Sequence, residues 1–246
     1  MSGGEPAVRG LILDFGGVLT TSMRQNALAF ERSEGLPPGA YLRALAVDPD
    51  CIDVYAALEV GRATQQDWNE VVGRTLGLDP TNLMRRALAN LRLDPAMVDV
   101  VRRARARGVK TAILSNSFGL EPFDPYRELG VEAEFDALVL SEVEHVRKPS
   151  PEIYVHALAT LGLAGEVCLF VDDTAVNLPP AAAVGMRVLH HVDPAATCRT
   201  LNRLLDGLAS MEDADPPGAT AHSRSMASGR RQVLPTVVNT AQSTDS

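Results

Sequence analysis

Aromatic residues are scarce in this chain, 4% of 246 positions with a single tryptophan, and there are only three cysteines. Cys51, Cys168 and Cys198 are odd in number and scattered, with no Cys-x-x-Cys pair. Neither a disulfide framework nor a zinc site is expected from them, and buried free thiols are. Basic residues are in deficit: 23 Lys and Arg against 31 Asp and Glu leave a net charge of -8. That balance argues against nucleic acid as a partner, because a phosphate backbone calls for a basic face. No apolar run approaches the roughly 18 residues of a spanning helix. The opening MSGGEPAVRG has neither the charged region nor the apolar stretch of a secretory leader. A cytoplasmic protein with no membrane segment is the expectation.

What is present suffices for a real core. At 46% hydrophobic and 22% charged, the chain sits in the ordinary range for one or two globular domains. Short apolar or β-branched runs occur at Val8 to Leu13, Val109 to Leu114, Phe135 to Leu140, Val167 to Val171 and Met186 to Leu189. Separated by helical patterns, such runs predict a parallel sheet covered on both faces, an α/β doubly wound fold. The helices Asp94 to Arg107, Pro151 to Leu161 and Pro179 to Val184 each stop at a glycine, where a left-handed cap is expected.

Between the first two strands lies an insertion from Thr21 to Leu93. It holds helical patterns around Arg24 to Glu34, Pro38 to Ala46, Asp50 to Val60, Thr64 to Leu76 and Pro80 to Asn90, and no convincing strand. A parallel crossover needs about a dozen residues, so this segment predicts a helical module over the strand ends, where open α/β sheets bind ligands. The expected division is a core domain of residues 1–20 and 94–210, a helical domain of 21–93, and a disordered tail of 211–246, rich in Ser, Thr, Ala, Gly and Pro.

The chemistry falls just after the strands. The first runs into Asp14-Phe15-Gly16-Gly17, a carboxylate followed by glycines that let backbone N–H groups approach an anion; an ordinary loop cap is the alternative. The second ends in Leu114-Ser115-Asn116-Ser117, a hydroxyl with flexible donors or simply a turn. After the third comes Arg147-Lys148-Pro149, a surface lysine or a charge delivered to the site. The fourth meets Asp172-Asp173. Adjacent carboxylates repel unless a cation sits between them, and Mg²⁺ is the economical one.

Asp, then Ser, then Lys, then Asp-Asp, each at the C-terminal end of a successive strand, resembles the haloacid dehalogenase superfamily of aspartate-nucleophile hydrolases. The resemblance runs from about Arg9 to His191. The insertion is similar to the C1 cap of that superfamily's first subclass, with Leu58-Glu59-Val60-Gly61-Arg62, then Thr64 and Trp68, resembling its Glu-x-Gly segment. RKPSPEIY and FVDDTAVNLPPAAAVGMRVL resemble the phosphatase branch near glucose-1-phosphatase and the N-terminal domain of soluble epoxide hydrolases. The resemblance implies Asp14 as nucleophile forming an aspartyl-phosphate, with Ser115 on a phosphoryl oxygen and Lys148 neutralising charge. It implies Mg²⁺ held by Asp14, the Gly16 carbonyl and Asp173, with Asp172 at or behind the metal and Asn177 orienting its shell. Phe15, Gly16, Asn116 and, from the insertion, Arg62 are expected to contact phosphate or substrate. A small phosphorylated metabolite is the implied partner.

One position departs from the family. Where most of its phosphatases carry a second aspartate as general acid, this chain has Gly16. The loss falls on proton transfer, about a hundredfold to ten-thousandfold in rate, while the carbonyl for the metal survives. Three readings follow: a phosphatase using solvent, another acid or a stabilised leaving group; a dehalogenase, whose halide needs no proton; or a catalytically weak relative that binds a phosphorylated ligand or a protein. Glu142, Glu144, His145, His190 and His191 are the titratable groups near enough in sequence to be weighed as substitutes. The phosphonatase variant, which needs a cap lysine, is excluded: there is no lysine between Thr21 and Leu93.

Overall fold

In the computed structural model, the described residues are 7–212, with side chains described through 207. The tail expected to be disordered, 211–246, lies almost wholly outside them.

Five parallel strands form one sheet: β1 (Gly10–Leu13), β2 (Lys110–Ser115), β3 (Ala137–Leu140), β4 (Cys168–Asp172) and β5 (Arg187–His190), in the order β3-β2-β1-β4-β5. All five fall on the expected apolar runs. Side chains of a strand alternate between faces, and here the alternation feeds two cores. Leu11, Leu13 and Val171 enter one, and Ile12, Cys168 and Phe170 the other. The first core is closed by α6 (Pro95–Ala106) and α11 (Pro194–Glu212), the second by α9 (Pro151–Leu161) and α10 (Leu178–Ala183). Two single turns, α7 (Pro125–Glu128) and α8 (Ser141–Glu144), complete the connections. All three cysteines are free and buried.

Local chemistry sets the helix ends. The Asp94 side chain accepts from Ala96 and Met97 N–H at the start of α6, with Pro95 in the first turn. This combines an N-cap acceptor with a residue that lacks the orphan N–H. Gly162 closes α9 at φ 62°, the left-handed residue that lets the last carbonyls find partners.

Thr21 to Leu93 contains α1 (Met23–Ser33), α2 (Ala40–Val47), α3 (Pro49–Leu58), α4 (Gln65–Leu76) and α5 (Leu83–Ala87). Thr64 and Asp67 form a reciprocal capping box on α4. The buried Glu31 carboxylate of α1 accepts from Gly39 and Tyr41 N–H at 2.7 and 2.9 Å, satisfying the start of α2. The expected helix from Pro80 to Asn90 is shorter than its pattern, because Asn82 takes a left-handed conformation and only Leu83–Ala87 is helical.

Where the chain leaves the sheet and where it returns, the two segments lie side by side. Thr20 and Leu93 form an antiparallel bridge, Thr21 N–H donates to Arg92 O at 2.8 Å, and Asp94 N–H donates to Leu19 O at 2.8 Å.

Candidate active site

Register brings the expected residues together. β1 and β4 are adjacent, Leu13 pairs with Val171, and the next residue on each strand is Asp14 and Asp172. Asp14 N–H donates to Val171 O at 2.9 Å, so the two carboxylates emerge side by side at the C-terminal edge of the sheet. Beyond Asp14, Phe15 to Leu19 winds into a single wide turn, closed by Thr20 N–H to Phe15 O at 3.1 Å. Gly17 in this turn has φ +85°, and a Cβ there would lie 2.7 Å from Asp173 Oδ2. Only glycine combines that dihedral with that clearance.

Lys148 supplies the positive charge. Its Nζ donates to Asp14 Oδ1 at 2.6 Å and to Asp172 Oδ2 at 2.8 Å, with a side chain 2% exposed. Asn116 fixes its backbone: Asn116 Oδ1 accepts from Lys148 N–H at 2.9 Å and Asn116 Nδ2 donates to Lys148 O at 3.2 Å. Burial pushes the Asp14 carboxyl up to about 6, with Lys148 pulling down and Asp172 pushing further up. Burial acts to lower the Lys148 ammonium, but Asp14 and Asp172 outweigh it and the net shift is upward. A buried lysine in this position is charged at neutral pH because its carboxylates hold the proton on it.

Asp172 is saturated. Its Oδ1 accepts from Thr174 N–H at 2.8 Å and Asn177 Nδ2 at 3.1 Å, and its Oδ2 from Lys148 and, at 3.1 Å, Asn177 Nδ2. Asp173 takes a hydrogen bond from Thr174 Oγ1 at 3.1 Å; partial burial, and Asp172 beside it, raise its carboxyl against that bond. Asp14, Asp172 and Asp173 each offer an oxygen within 4.8 Å of the others. Three carboxylates around one ammonium leave uncompensated negative charge, and hard oxygen donors so grouped fit a divalent cation of the Mg²⁺ type.

These groups open onto a cavity of about 530 Å³ walled on one side by Asp14, Gly16, Ser115, Asn116, Lys148 and Asp173 and on the other by residues of α1 to α5. Ser115 Oγ accepts from Tyr126 O–H at 2.9 Å and donates to Asn116 O at 3.1 Å. Phe15 does not reach the cavity with its ring, which is fully buried against Phe118 and Tyr126. Arg62 is not brought to the cavity either. It is exposed and lies with Val60, His145 and Ser150 on a separate surface hollow. Gly61, at φ +70°, turns the chain so closely onto Glu142 that a Cβ would lie 2.8 Å from its carbonyl.

Of the groups weighed as substitutes for the missing acid, Glu142, Glu144 and His145 are engaged elsewhere, while His190 lies beside Asp173. Glu142 accepts from Ser117 Oγ at 3.2 Å, Glu144 pairs with His156 at 2.7 Å, and His145 Nδ1 meets Val60 O at 3.2 Å. His190 Nε2 lies 3.0 Å from Asp173 O, and His191 is buried with Nδ1 unpartnered. Beside Gly16 the nearest groups in the direction of a side chain are the Met23 thioether, 3.1 to 3.3 Å away, and Phe118 at 4.0 Å. The place of the family's second aspartate is apolar.

Gln65 and Ser141 help organise the site without a local sequence signal, whereas Glu59 stands out through its Glu-x-Gly segment. Gln65 Nε2 donates to Phe118, Gly119 and Phe123 carbonyls at 3.0, 2.9 and 2.6 Å, and its Oε1 accepts from Phe123 N–H at 3.2 Å. It ties the insertion to the loop after β2. Buried Ser141 donates to Glu59 O and accepts from Ser117 N–H. Glu59, at the cavity wall, pairs with Arg147; burial raises its carboxyl although that partner lowers it.

Known proteins resemble this chain along the same span. A sesquiterpene phosphatase of Aspergillus oryzae is 31% identical over 157 residues, covering 62% of this chain and 80% of that protein. Mouse acyl-CoA dehydrogenase family member 10 is 28% identical over 83% of this chain, which spans only 20% of that protein. Haloacetate dehalogenase H-2 of Moraxella is 32% identical over 46% of this chain and 51% of its own length. Among solved structures, a HAD family enzyme of Bacteroides thetaiotaomicron in complex with magnesium superposes with TM-score 0.59 at 20% identity, covering 75% of this chain and 93% of that one. The L-2-haloacid dehalogenase of Xanthobacter autotrophicus gives 0.56 at 23%, covering 80% and 83%. The haloacid dehalogenase-like hydrolase family matches residues 8–185, from the start of the sheet through the turn before β5. With that span, five parallel strands in this order and an aspartate, a lysine and an aspartate pair at their ends, the chain belongs to the haloacid dehalogenase-like hydrolases.

Proposed function

We propose that this hydrolase is a phosphomonoesterase that uses Asp14 as nucleophile, with residues 1–20 and 94–210 as its catalytic core and 21–93 as a cap over it. The observation that carries the reading is Lys148 bridging Asp14 and Asp172 at the floor of a cavity that also contains Asp173. A dehalogenase needs no cation to take up a leaving halide, and the carboxylate excess at Asp14 and Asp173 is costly without one. The sesquiterpene phosphatase of Aspergillus oryzae supports the same choice.

In this mechanism a carboxylate oxygen of Asp14 attacks phosphorus, the ester P–O bond breaks, and the alcohol oxygen leaves with the electron pair. Water then attacks the phosphorus of the aspartyl-phosphate, releasing inorganic phosphate and restoring Asp14. Lys148 holds Asp14 ionised and in line, and balances charge on the transferring group. Ser115 and Asn116 bound the pocket for the phosphoryl oxygens. Asp14, Asp173 and the Gly16 carbonyl would hold Mg²⁺, and Asp172 and Asn177 would support the arrangement from behind. The cation supplies neutralisation of phosphate charge when bound. With Met23 and Phe118 beside Gly16, the departing oxygen takes its proton from water. Phosphate release from 4-nitrophenyl phosphate with and without Mg²⁺, in wild type and Asp14→Asn, is the test. Metal-dependent release in the first and none in the second is expected; equal release in both would refute Asp14 as nucleophile.

A further inference from the structure

The cavity above Asp14 is divided by polarity. Its charges are Asp14, Lys148 and Asp173 at the sheet end, and the Glu59–Arg147 pair. The rest of the wall, contributed by α1 to α5, is mainly apolar, with Met23, Leu42, Leu45, Trp68 and Met84. Glu59 is the only charged wall residue from that segment among the described residues, and it is already paired. A sugar or polyol brings several hydroxyls, each of which costs free energy if buried without a partner. This wall's remaining polar groups are the Tyr41 and Tyr55 hydroxyls and Asn26, whose amide nitrogen already donates to Ala87 O at 2.7 Å. That is few for a polyol and enough for one polar group on a tail. Its volume, about 530 Å³, lies within the range of sites that enclose most of a small organic ligand.

We infer that the substrate is an amphiphile: a phosphate ester of a bulky, mainly apolar alcohol, with the phosphate on the Lys148 side and the hydrocarbon against α1, α2, α4 and α5. This inference rests on the phosphatase reading for its reaction, but the shape and polarity of the cavity carry it. It also accounts for the apolar pair beside Gly16. Met23 and Phe118 continue the hydrocarbon wall down to the reacting carboxylate.

The test is a series of n-alkyl phosphates from ethyl to octyl, kept below micelle formation, with glycerol 1-phosphate and 4-nitrophenyl phosphate alongside. The expected result is a rise in kcat/KM of up to about fourfold per added methylene, the transfer value for a buried CH₂, with glycerol phosphate at or below the ethyl ester. Titration calorimetry of octylphosphonate against methylphosphonate reads the same wall without turnover, and tighter binding of the octyl compound is expected. Leu42→Asp, at a half-buried position of α2, flattens both trends. A change of less than twofold from ethyl to octyl, together with equal phosphonate affinities, overturns the inference while hydrolysis of the aryl ester leaves the phosphatase reading standing. No hydrolysis of any ester with tighter octylphosphonate binding does the reverse. Failure of both measurements overturns both.

Discussion

Replacing Lys148 by methionine probes the electrostatics of the site. The ammonium lies 2.6 Å from Asp14 and 2.8 Å from Asp172, and its side chain is 2% exposed. Methionine keeps an apolar stem of similar length and removes the charge, leaving two neighbouring carboxylates without their cation. Removing one partner from a buried pair costs about 3–5 kcal/mol, a large part of a domain stability of about 5–15 kcal/mol. At roughly 2–4 °C per kcal/mol for a chain of this size, the midpoint falls by about 6–20 °C. The sign with pH follows from Asp14, which stands at about 6 in the folded protein against an ordinary 3.8. A carboxyl raised by folding binds its proton more tightly in the folded state, so stability is lost as pH rises through that window and regained as pH falls. Without Lys148 the carboxyl is pushed higher still. The deficit of the variant is therefore full at pH 8 and smaller at pH 5. Urea unfolding of both proteins in EDTA at the two pH values measures it. A deficit below about 1 kcal/mol at pH 8, or one of equal size at pH 5, would refute the assignment of Lys148 as the charge that holds this site together.

Gly16→Asp places a carboxyl where Met23 Cγ is 3.1 Å from the new Cβ, and a flexible thioether can give way. We expect hydrolysis of alkyl phosphates to rise by about tenfold or more while aryl phosphates change little, since a general acid helps poor leaving groups most; equal effects on both would contradict that. Gly17→Ala forces φ +85° on a residue with a side chain and crowds Asp173 Oδ2 at 2.7 Å. Its expected cost is about 1–2 kcal/mol, together with loss of the Mg²⁺-induced thermal shift expected of the wild type. Retention of that shift would show that Asp173 does not take part in holding the cation. Gln65→Ala removes four hydrogen bonds to buried backbone groups. At about 0.5–1.5 kcal/mol each, a loss of roughly 2–6 kcal/mol in urea unfolding is expected, and one within experimental error of zero would mean the loop is held by other contacts.

The strands were legible because a sheet buried on both faces needs nearly every residue apolar, so each run ends where its first polar residue begins. That is why Asp14, Ser115 and Asp172 stand recognisably at strand ends in the sequence itself. The interruptions of the insertion were legible through Pro and Gly, except at α5, where a left-handed Asn82 shortens the helix. What was not legible is polar contact between distant segments. Gln65 meets residues more than fifty positions away, and Glu59 finds Arg147 at a separation of 88. Nothing in the neighbourhood of either residue announces its partner. Arg62 shows the opposite error: its place beside a recognisable Glu-x-Gly segment suggested the cavity, and the turn at Gly61 directs it to another surface.

Leu42 and Leu45 are carried on one short helix, α2, which packs on α1, α3 and α4. The reacting carboxylates and Lys148 belong to strand ends and loops built around the two cores of the sheet. The residues that would choose the alcohol and those that would break the ester thus lie on different parts of the chain, and Leu42 and Leu45 are only partly buried where they meet the cluster that includes Leu11, Leu13 and Val171. A lineage can vary the first set by single exchanges while inheriting the second unchanged, so new substrate ranges are open to it without passing through an inactive ancestor.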